Sequence, residues 1–362
     1  MKFEGWVDKE HLINENENEI DILHNKLFRG SQLMQVLTCI TLIVSVMFSH
    51  GSFCDPIVAK VDGGLSNGKQ LQCRVYLFPP ASIEKNAQGK IALLFSQGGT
   101  GVYTTYYNQP KDGGDYYLTM DKPGILPDLQ SKDANNPIVD RTKFDFYTMN
   151  NLIDCAQNAL SWADNYLNHA NKVIILQGHS EGTVVMANLV KRILSDKRNN
   201  QFQDEIKALF LSGVVMRSMS DALHHQLDDT HDDKLNYKKL EQAYKAHNYD
   251  YIYNNLGVGW YWISSVFANK TPDVSIVLND ISKLDTGRAL DIEIFQGIND
   301  LDIPAKWTMA FETKNKTRPA EEQLNVQARY YNAGHGLNQT AVSDIEMIKN
   351  SVFNKGIADA RL

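Results

Sequence analysis

The chain reads as an α/β fold, a mostly parallel central sheet covered by helices on both faces. Three observations predict it. Short apolar runs recur at Ile91–Ser96, Lys172–Leu176, Ala208–Val215, Leu290–Gln296 and Gln327–Tyr331. They alternate with stretches of helical spacing, such as Leu152, Ala156, Ala159, Leu160, Ala163 and Leu167. Several runs are apolar throughout rather than alternating, as expected of strands buried on both sides.

The composition suits such a fold. The chain has 362 residues, 43% hydrophobic and 22% charged, enough for one large domain or two small ones. Its net charge is −7 and it has no basic tract, which argues against nucleic acid as a partner. The four cysteines, Cys39, Cys54, Cys73 and Cys155, form no CxxC pair, so no structural zinc site is expected.

Residues 1–51 read as a leader. Residues 33–49 form an uncharged apolar core of signal-peptide length, preceded by Lys26 and Arg29, with Ser49 and Gly51 at the −3 and −1 positions of a cleavage site. The 32 residues before this core are acidic and unusually long for such a leader. A start site set too far upstream, an uncleaved membrane anchor and a buried N-terminal helix are the alternatives. Export, to the periplasm or outside the cell, is the reading adopted. It implies an oxidising compartment in which Cys54 and Cys73 can pair. Cys39 then leaves with the signal, and Cys155 stays a buried free thiol.

A domain over residues 55–362 follows. Ile57–Asp62 and Gln70–Phe78 read as a hairpin, with turn signals from Gly63 to Gly68. Ile91–Ser96 runs into Gln97-Gly98-Gly99-Thr100-Gly101, and Tyr116–Met120 into Asp121-Lys122-Pro123-Gly124. Residues 125–143 read as loop, and 145–168 as helix. Lys172–Leu176 is a strand and Thr183–Leu194 a helix. Residues 216–285 break the rhythm. They are polar, aromatic and helical, as at Tyr237–His247 and Tyr251–Phe267, and read as a lid inserted over the sheet's carboxyl edge. The strands at 290–296 and 327–331 and a closing helix at 340–353 complete the domain.

The chemistry concentrates at strand ends. Gly178-His179-Ser180-Glu181-Gly182 sits between a buried strand and a helix, the Gly-x-Ser-x-Gly signature of a nucleophile elbow. Glycines two residues either side of the serine let neighbouring backbone approach. The helix N-terminus favours negative charge. A serine nucleophile needs a base, and the base an orienting acid. Asp300 follows the strand at 290–296, and His335 sits in Gly334-His335-Gly336 after the strand at 327–331. Asp302 in the same loop, and Asp221 after the strand ending near Val215, are the alternative acids. His179 is expected to point away from the hydroxyl.

With these motifs in order, the chain resembles α/β-hydrolase fold enzymes from about residue 55 to its end. Gly297-x-x-Asp300-x-x-Ile303-Pro304 is similar to the family's acid loop and Gly334-His335-Gly336 to its histidine loop. Gln97–Gly101 is similar to its oxyanion loop, with Gln97 where many members have histidine. Asp121-Lys122-Pro123-Gly124 resembles the Asp-x-x-Gly after the next strand, and the Gly-x-Ser that often follows is missing. The resemblance implies Ser180 as nucleophile, His335 as general base and Asp300 as its partner. It implies the backbone N–H groups of Gly99 and Glu181 as oxyanion donors, and no cofactor or metal.

Two further signals are weighed down. Residues 220–233 are rich in His and Asp, but adjacent histidines do not share a helix face and acidic clusters are usually solvated. Tyr249, Tyr251, Tyr253, Trp260, Tyr261 and Trp262 fit either an acyl or aryl pocket or the insertion's own packing. The function expected is a serine hydrolase cleaving a carboxylic ester, with a small ester or acyl compound as its partner. A thioesterase, an amidase or peptidase, and a catalytically silent binding protein are the alternatives.

Overall fold

The structure is a computed structural model. It describes residues 55–80, 90–107, 115–168, 170–196, 200–229, 234–253, 257–268, 272–284 and 290–358. The leader, its apolar core, Cys39 and Cys54 lie outside these residues. Among the described residues no helix is long and apolar enough to cross a membrane.

Eight strands form one sheet. They are β1 (Ile57–Ser66), β2 (Lys69–Phe78), β3 (Ile91–Gln97), β4 (Tyr116–Met120), β5 (Lys172–His179), β6 (Ile206–Ser212), β7 (Asp291–Gly297) and β8 (Val326–Tyr331). Their spatial order is β1-β2-β4-β3-β5-β6-β7-β8. From β4 to β8 every pairing is parallel. The β1–β2 and β2–β4 pairings are antiparallel, so the opening hairpin forms an antiparallel edge.

The hairpin departs from the expectation in one respect. Gly63 and Gly64 do not turn; they continue β1 through a register shift between Asp62 and Leu65. The turn is Asn67-Gly68, both at positive φ (46° and 73°), the conformation a two-residue hairpin requires. The irregularity at Gly63 has a packing reason. A Cβ there would lie 2.7 Å from Cys155 Sγ, so the missing side chain lets the strand pass over the helix beneath.

That helix is α1 (Met149–Tyr166). Thr148 caps it and Asn151 reciprocates in a capping box, which starts the helix later than apolar spacing alone suggests. Cys155 on α1 bonds Cys73 on β2. This corrects the expected Cys54–Cys73 pair and the free Cys155. Cys73 and Cys155 both point into the layer between sheet and helix, a neighbourhood that linear spacing does not reveal.

Alternation along β5 explains the two-sided core. Ile174 and Leu176 face α1 and α2 (Glu181–Ser195), within the larger apolar cluster. Val173 and Ile175 face the other way, in a cluster with Phe210, Phe295, Val352 and Phe353, where α8 (Gln339–Ala358) covers the sheet. Each of these four residues therefore buries apolar surface, at roughly 25 cal/mol per Å².

Between β6 and β7 run α3 (Met219–His224), a π-helical turn (His225–Asp229), α4 (Lys234–Lys245), α5 (Trp260–Phe267) and α6 (Val274–Leu284). The helix expected over Tyr251–Phe267 is shorter. A two-residue strand pair, Ile252–Tyr253 with Val258–Gly259, replaces its first half, and Gly257 takes φ 66° between them. Helix α6 packs along α2. It lies within the stretch read as helical, though without bounds of its own, whereas α7 (Ala305–Lys316) was not expected from the sequence. The stretch 125–143, expected as loop, carries a minimal strand pair and one turn of helix at Arg141–Phe144.

Candidate active site

The turn after β5 is strained in the manner its residues require. Ser180 has φ 54° and ψ −122°, a conformation costing about 1–3 kcal/mol for a residue with a side chain. It is held by backbone bonds on both sides. Ser180 N–H donates to Ser212 O at 2.9 Å, and Thr183 N–H to Ser180 O at 2.9 Å. The flanking glycines are sterically obligatory. A Cβ at Gly178 would lie 2.4 Å from Gly182 O, and one at Gly182 would lie 2.1 Å from Gln97 O. The elbow is therefore wedged against the start of the Gln97–Gly101 loop. Gly99 comes so close that a Cβ there would lie 3.2 Å from Ser180 Cβ and 3.5 Å from its Oγ.

The turns after β7 and β8 meet at the same end of the sheet. Gly297 makes this possible, since a Cβ on it would sit 2.4 Å from both Ala333 O and Gly334 O. Across this contact, His335 Nδ1 and Asp300 Oδ2 are 2.9 Å apart. The Asp300 side chain is fully buried and its oxygens are saturated. Oδ1 accepts from the backbone N–H groups of Asp302 (3.0 Å) and Ile303 (2.8 Å). Oδ2 also accepts from Gln296 Nε2 at 3.0 Å. Gln296 is fixed in turn, because its Oε1 accepts from Val214 N–H at 3.1 Å.

Electrostatics follow from this arrangement. Burial pulls the His335 imidazole down; the hydrogen bond and charge of Asp300, with Asp302 behind them, outweigh it and hold it above its ordinary value. His179 behaves oppositely. Burial, then the charge of His335, push it down to about 4.

The position of His179 is a correction. Its ring does not turn away from the site. It lies 4.7 Å from the His335 ring, centroid to centroid, with Nδ1 3.0 Å from Ser212 Oγ. Gly213 leaves the room: at φ 55°, a Cβ on it would lie 2.7 Å from His335 Cε1 and 3.3 Å from His179 Cε1. A sequence reading of the elbow carries no signal for that glycine.

Ser180, His179 and His335 open onto a cavity of about 460 Å³. Gly99, Thr100 and Tyr103 form one wall. Val215, Met219, Ala222, Leu223 and Leu227, from α3 and its flanks, form an apolar one, joined by Ile303 and Tyr253. Gln226, in the π-helical turn, and Asp302 add polar groups. Tyr253 is the one residue of the predicted aromatic group that lines this cavity. Trp260 packs against Tyr249 and Tyr261, and Tyr261 stacks on Phe146.

Asp302 lines the cavity without bonding the imidazole in the way Asp300 does. Asp221 sits in the first turn of α3. Ligand atoms of Asp300, Asp302 and His335 lie within 4.8 Å of one another, the spacing a metal would need. The bonds already made by Asp300 and His335 fit an oriented imidazole better than a cation site. Of the His-Asp stretch at 220–233, His224 packs on Tyr237 and His225 on Trp307. The side chains of 228–233 lie outside those described.

Behind the cavity is a buried network. Asp121 accepts from Tyr76 O–H (2.6 Å), Thr104 O–H (2.9 Å), and Thr105 N–H (2.6 Å). Lys122 Nζ lies 3.2 Å from Glu181 Oε2.

No protein-family model and no curated protein sequence matches the chain. Solved structures do. A lipase in its open form matches with a TM-score of 0.52 and 13% identity, over 83% of this chain and 99% of the lipase. The chain has the α/β-hydrolase fold. Two further structures that the chain matches are a peroxisomal alpha-beta-hydrolase of Saccharomyces cerevisiae and a puromycin-hydrolyzing peptidase of Mycobacterium tuberculosis. The first matches with TM-score 0.49 and 11% identity, over 86% of this chain and 92% of that one. The second has TM-score 0.48 and 14% identity, and this chain, with 84% covered, spans only 40% of its length. Within the α/β-hydrolase fold, Ser180, Asp300 and His335 sit after β5, β7 and β8.

Proposed function

We propose that this α/β-hydrolase-fold protein is a serine hydrolase that cleaves a carboxylic ester through an acyl-enzyme. The observation that carries the reading is the 2.9 Å contact of His335 Nδ1 with a buried, fully bonded Asp300, beside a positive-φ serine facing the same cavity. In this mechanism Ser180 Oγ attacks the carbonyl carbon while His335 Nε2 takes its proton. Asp300 holds the tautomer that leaves Nε2 free to accept, and stabilises the imidazolium. The carbonyl oxygen gains negative charge, which the N–H groups of Gly99 and Glu181 receive. The intermediate collapses, His335 returns the proton to the leaving alcohol, and water repeats the sequence on the acyl group. Thioesters and amides would pass through the same steps. The apolar wall from α3 favours a neutral, apolar acyl group, and the helical segment after β6 serves as its cap.

Purified protein incubated with a fluorophosphonate, alongside turnover of short-chain p-nitrophenyl esters, tests the proposal. Labelling and turnover that vanish in Ser180→Ala are expected. Neither reaction in the wild type, or a Ser180→Ala variant equal to it, would leave the silent binding-protein reading in its place.

We also propose that the chain is exported, with residues 33–49 as signal or anchor. The Cys73–Cys155 bond supports this, since disulfides persist in oxidising compartments. Mass spectrometry of the mature N-terminus is the test. A chain that still begins at Met1 after native expression counts against cleavage.

A further inference from the structure

We propose that Lys122 is a positioning residue for the oxyanion loop, and that its buried pair with Glu181 ties helix α5 to the two oxyanion donors. The inference rests on the serine-hydrolase reading above.

Lys122 follows β4 and is 2% exposed. Its ammonium donates to Gly99 O at 2.7 Å and Gly101 O at 3.0 Å, and forms an ion pair with Glu181 Oε2 at 3.2 Å. Its Nζ also lies 4.7 Å from the centre of the Tyr103 ring, whose hydroxyl donates to Gly99 O at 2.6 Å. The Gly99 carbonyl thus takes two strong donors, which fixes the Gly99–Thr100 peptide and so limits the rotation of the adjoining peptide that carries the Gly99 N–H. The preceding residue, Asp121, grips Thr104 and Thr105 further along the same loop. Two consecutive residues therefore clamp the segment from Gly99 to Thr105.

Glu181 joins this clamp to the elbow. Its backbone N–H is one of the two expected oxyanion donors, and its side chain is fully buried. One carboxylate oxygen faces Lys122, and the other accepts from Trp262 Nε1–H at 2.6 Å. Trp262 is fully buried on α5, within the segment between β6 and β7. The chain of contact is Trp262, Glu181, Lys122, Gly99: it begins in the cap and ends at the loop bordering Ser180.

A buried ion pair is a poor device for stability alone, since desolvating both charges offsets much of their attraction. Burial lowers Lys122, and the charge and hydrogen bond of Glu181 counteract it. What the pair does supply is direction, because each charged group has fixed acceptors or donors. Oxyanion donors must meet the developing charge at close range, and misplacement by about 1 Å costs roughly 10²-fold in rate.

The test is steady-state hydrolysis of a p-nitrophenyl ester, expressed per active site titrated to completion with a fluorophosphonate. Lys122→Met is expected to lower kcat per titrated site about 10²-fold, with KM within about threefold of wild type. The double variant Lys122→Met/Glu181→Gln removes both charges of the pair together, is expected to stay folded by circular dichroism, and is expected to show a similar loss. Trp262→Phe keeps an aromatic ring on α5 and removes the hydrogen bond to Glu181; a fall of about tenfold in kcat is expected. Wild-type kcat per titrated site in the double variant overturns the proposal, as does a loss confined to the number of titratable sites. If both charge variants fail to fold, Trp262→Phe decides, and an unchanged kcat overturns it. A wild type inert to probe and ester would instead overturn the serine-hydrolase reading, so the two failures are distinct.

Discussion

His179 and His335, from two different strand ends, pack their rings 4.7 Å apart over the bare backbone of Gly213. Two imidazoles this close cannot both be charged cheaply. Asp300 assigns the proton to His335, and His179 stays neutral through the ordinary histidine range.

A stability signature follows from that asymmetry. His179 titrates near 4 when folded and near 6.5 when unfolded. Between those values the unfolded chain binds more protons, so stability falls as pH falls through this window. The loss amounts to about 3 kcal/mol by pH 4. Denaturant midpoints from pH 7 to pH 4 should therefore drop less steeply for His179→Gln than for wild type. Parallel curves would show that the buried ring does not govern the acid limb.

The activity profile tests Asp300 separately. Asp300 outweighs burial and holds His335 above its ordinary value. In the proposed mechanism His335 is the base and must be neutral, so the acidic limb of kcat/KM is expected above the ordinary histidine value. Asp300→Asn removes the raising influence and leaves burial, so the limb moves to lower pH while the plateau falls by roughly 10⁴. Asp302→Asn removes a smaller contribution and is expected to shift the limb slightly, with activity kept within about tenfold. The opposite ranking of the two variants would reassign the acid.

The glycines are not equivalent. A Cβ at Gly182 meets Gln97 O at 2.1 Å, whereas at Gly336 it meets nothing within 4 Å. Gly182→Ala is expected to push the elbow off the oxyanion loop and lower kcat/KM by at least 10². Gly336→Ala should retain activity within about threefold, since surface changes of this kind stay near ±0.5 kcal/mol. Parallel ester assays of the two variants check this.

The disulfide ties β2 to α1 across 82 residues of sequence. In the chain-entropy account, closing a loop of that length restricts the unfolded chain by about 4.5 kcal/mol. Replacing Cys73 and Cys155 together by alanine should lower the thermal midpoint by several degrees, with the elbow chemistry retained. Thiol titration of the unfolded, unreduced wild type should find neither of these two sulfurs free.

Much of the sheet was legible because its strands are buried on both faces, and continuous apolar runs leave little choice of element. Tyr116–Met120 has the bounds expected of it. The helices between β6 and β7 were harder to read. Their spacing is interrupted by the Ile252–Tyr253 and Val258–Gly259 pair, although α6 itself buries Val274, Val277, Leu278 and Ile281 at helical spacing. Between β7 and β8, α7 buries Thr308 and Asn315 beside Trp307 and Phe311, which blurs its apolar stripe.

At the site the division has a clear physical reason. The sequence by itself determined what lies within one turn: a serine between obligatory glycines, an acid and a histidine each just past a strand. Local sterics and strand patterning are written in consecutive residues. Only the tertiary structure decided what strand order brings together. Gln296 orients Asp300, His179 packs on His335, Cys155 rather than Cys54 meets Cys73, and Trp262 reaches Glu181 across 81 residues. Those partners are chosen by the parallel stacking of β5 to β8 and by what packs over their carboxyl ends, and no spacing along the chain encodes that choice.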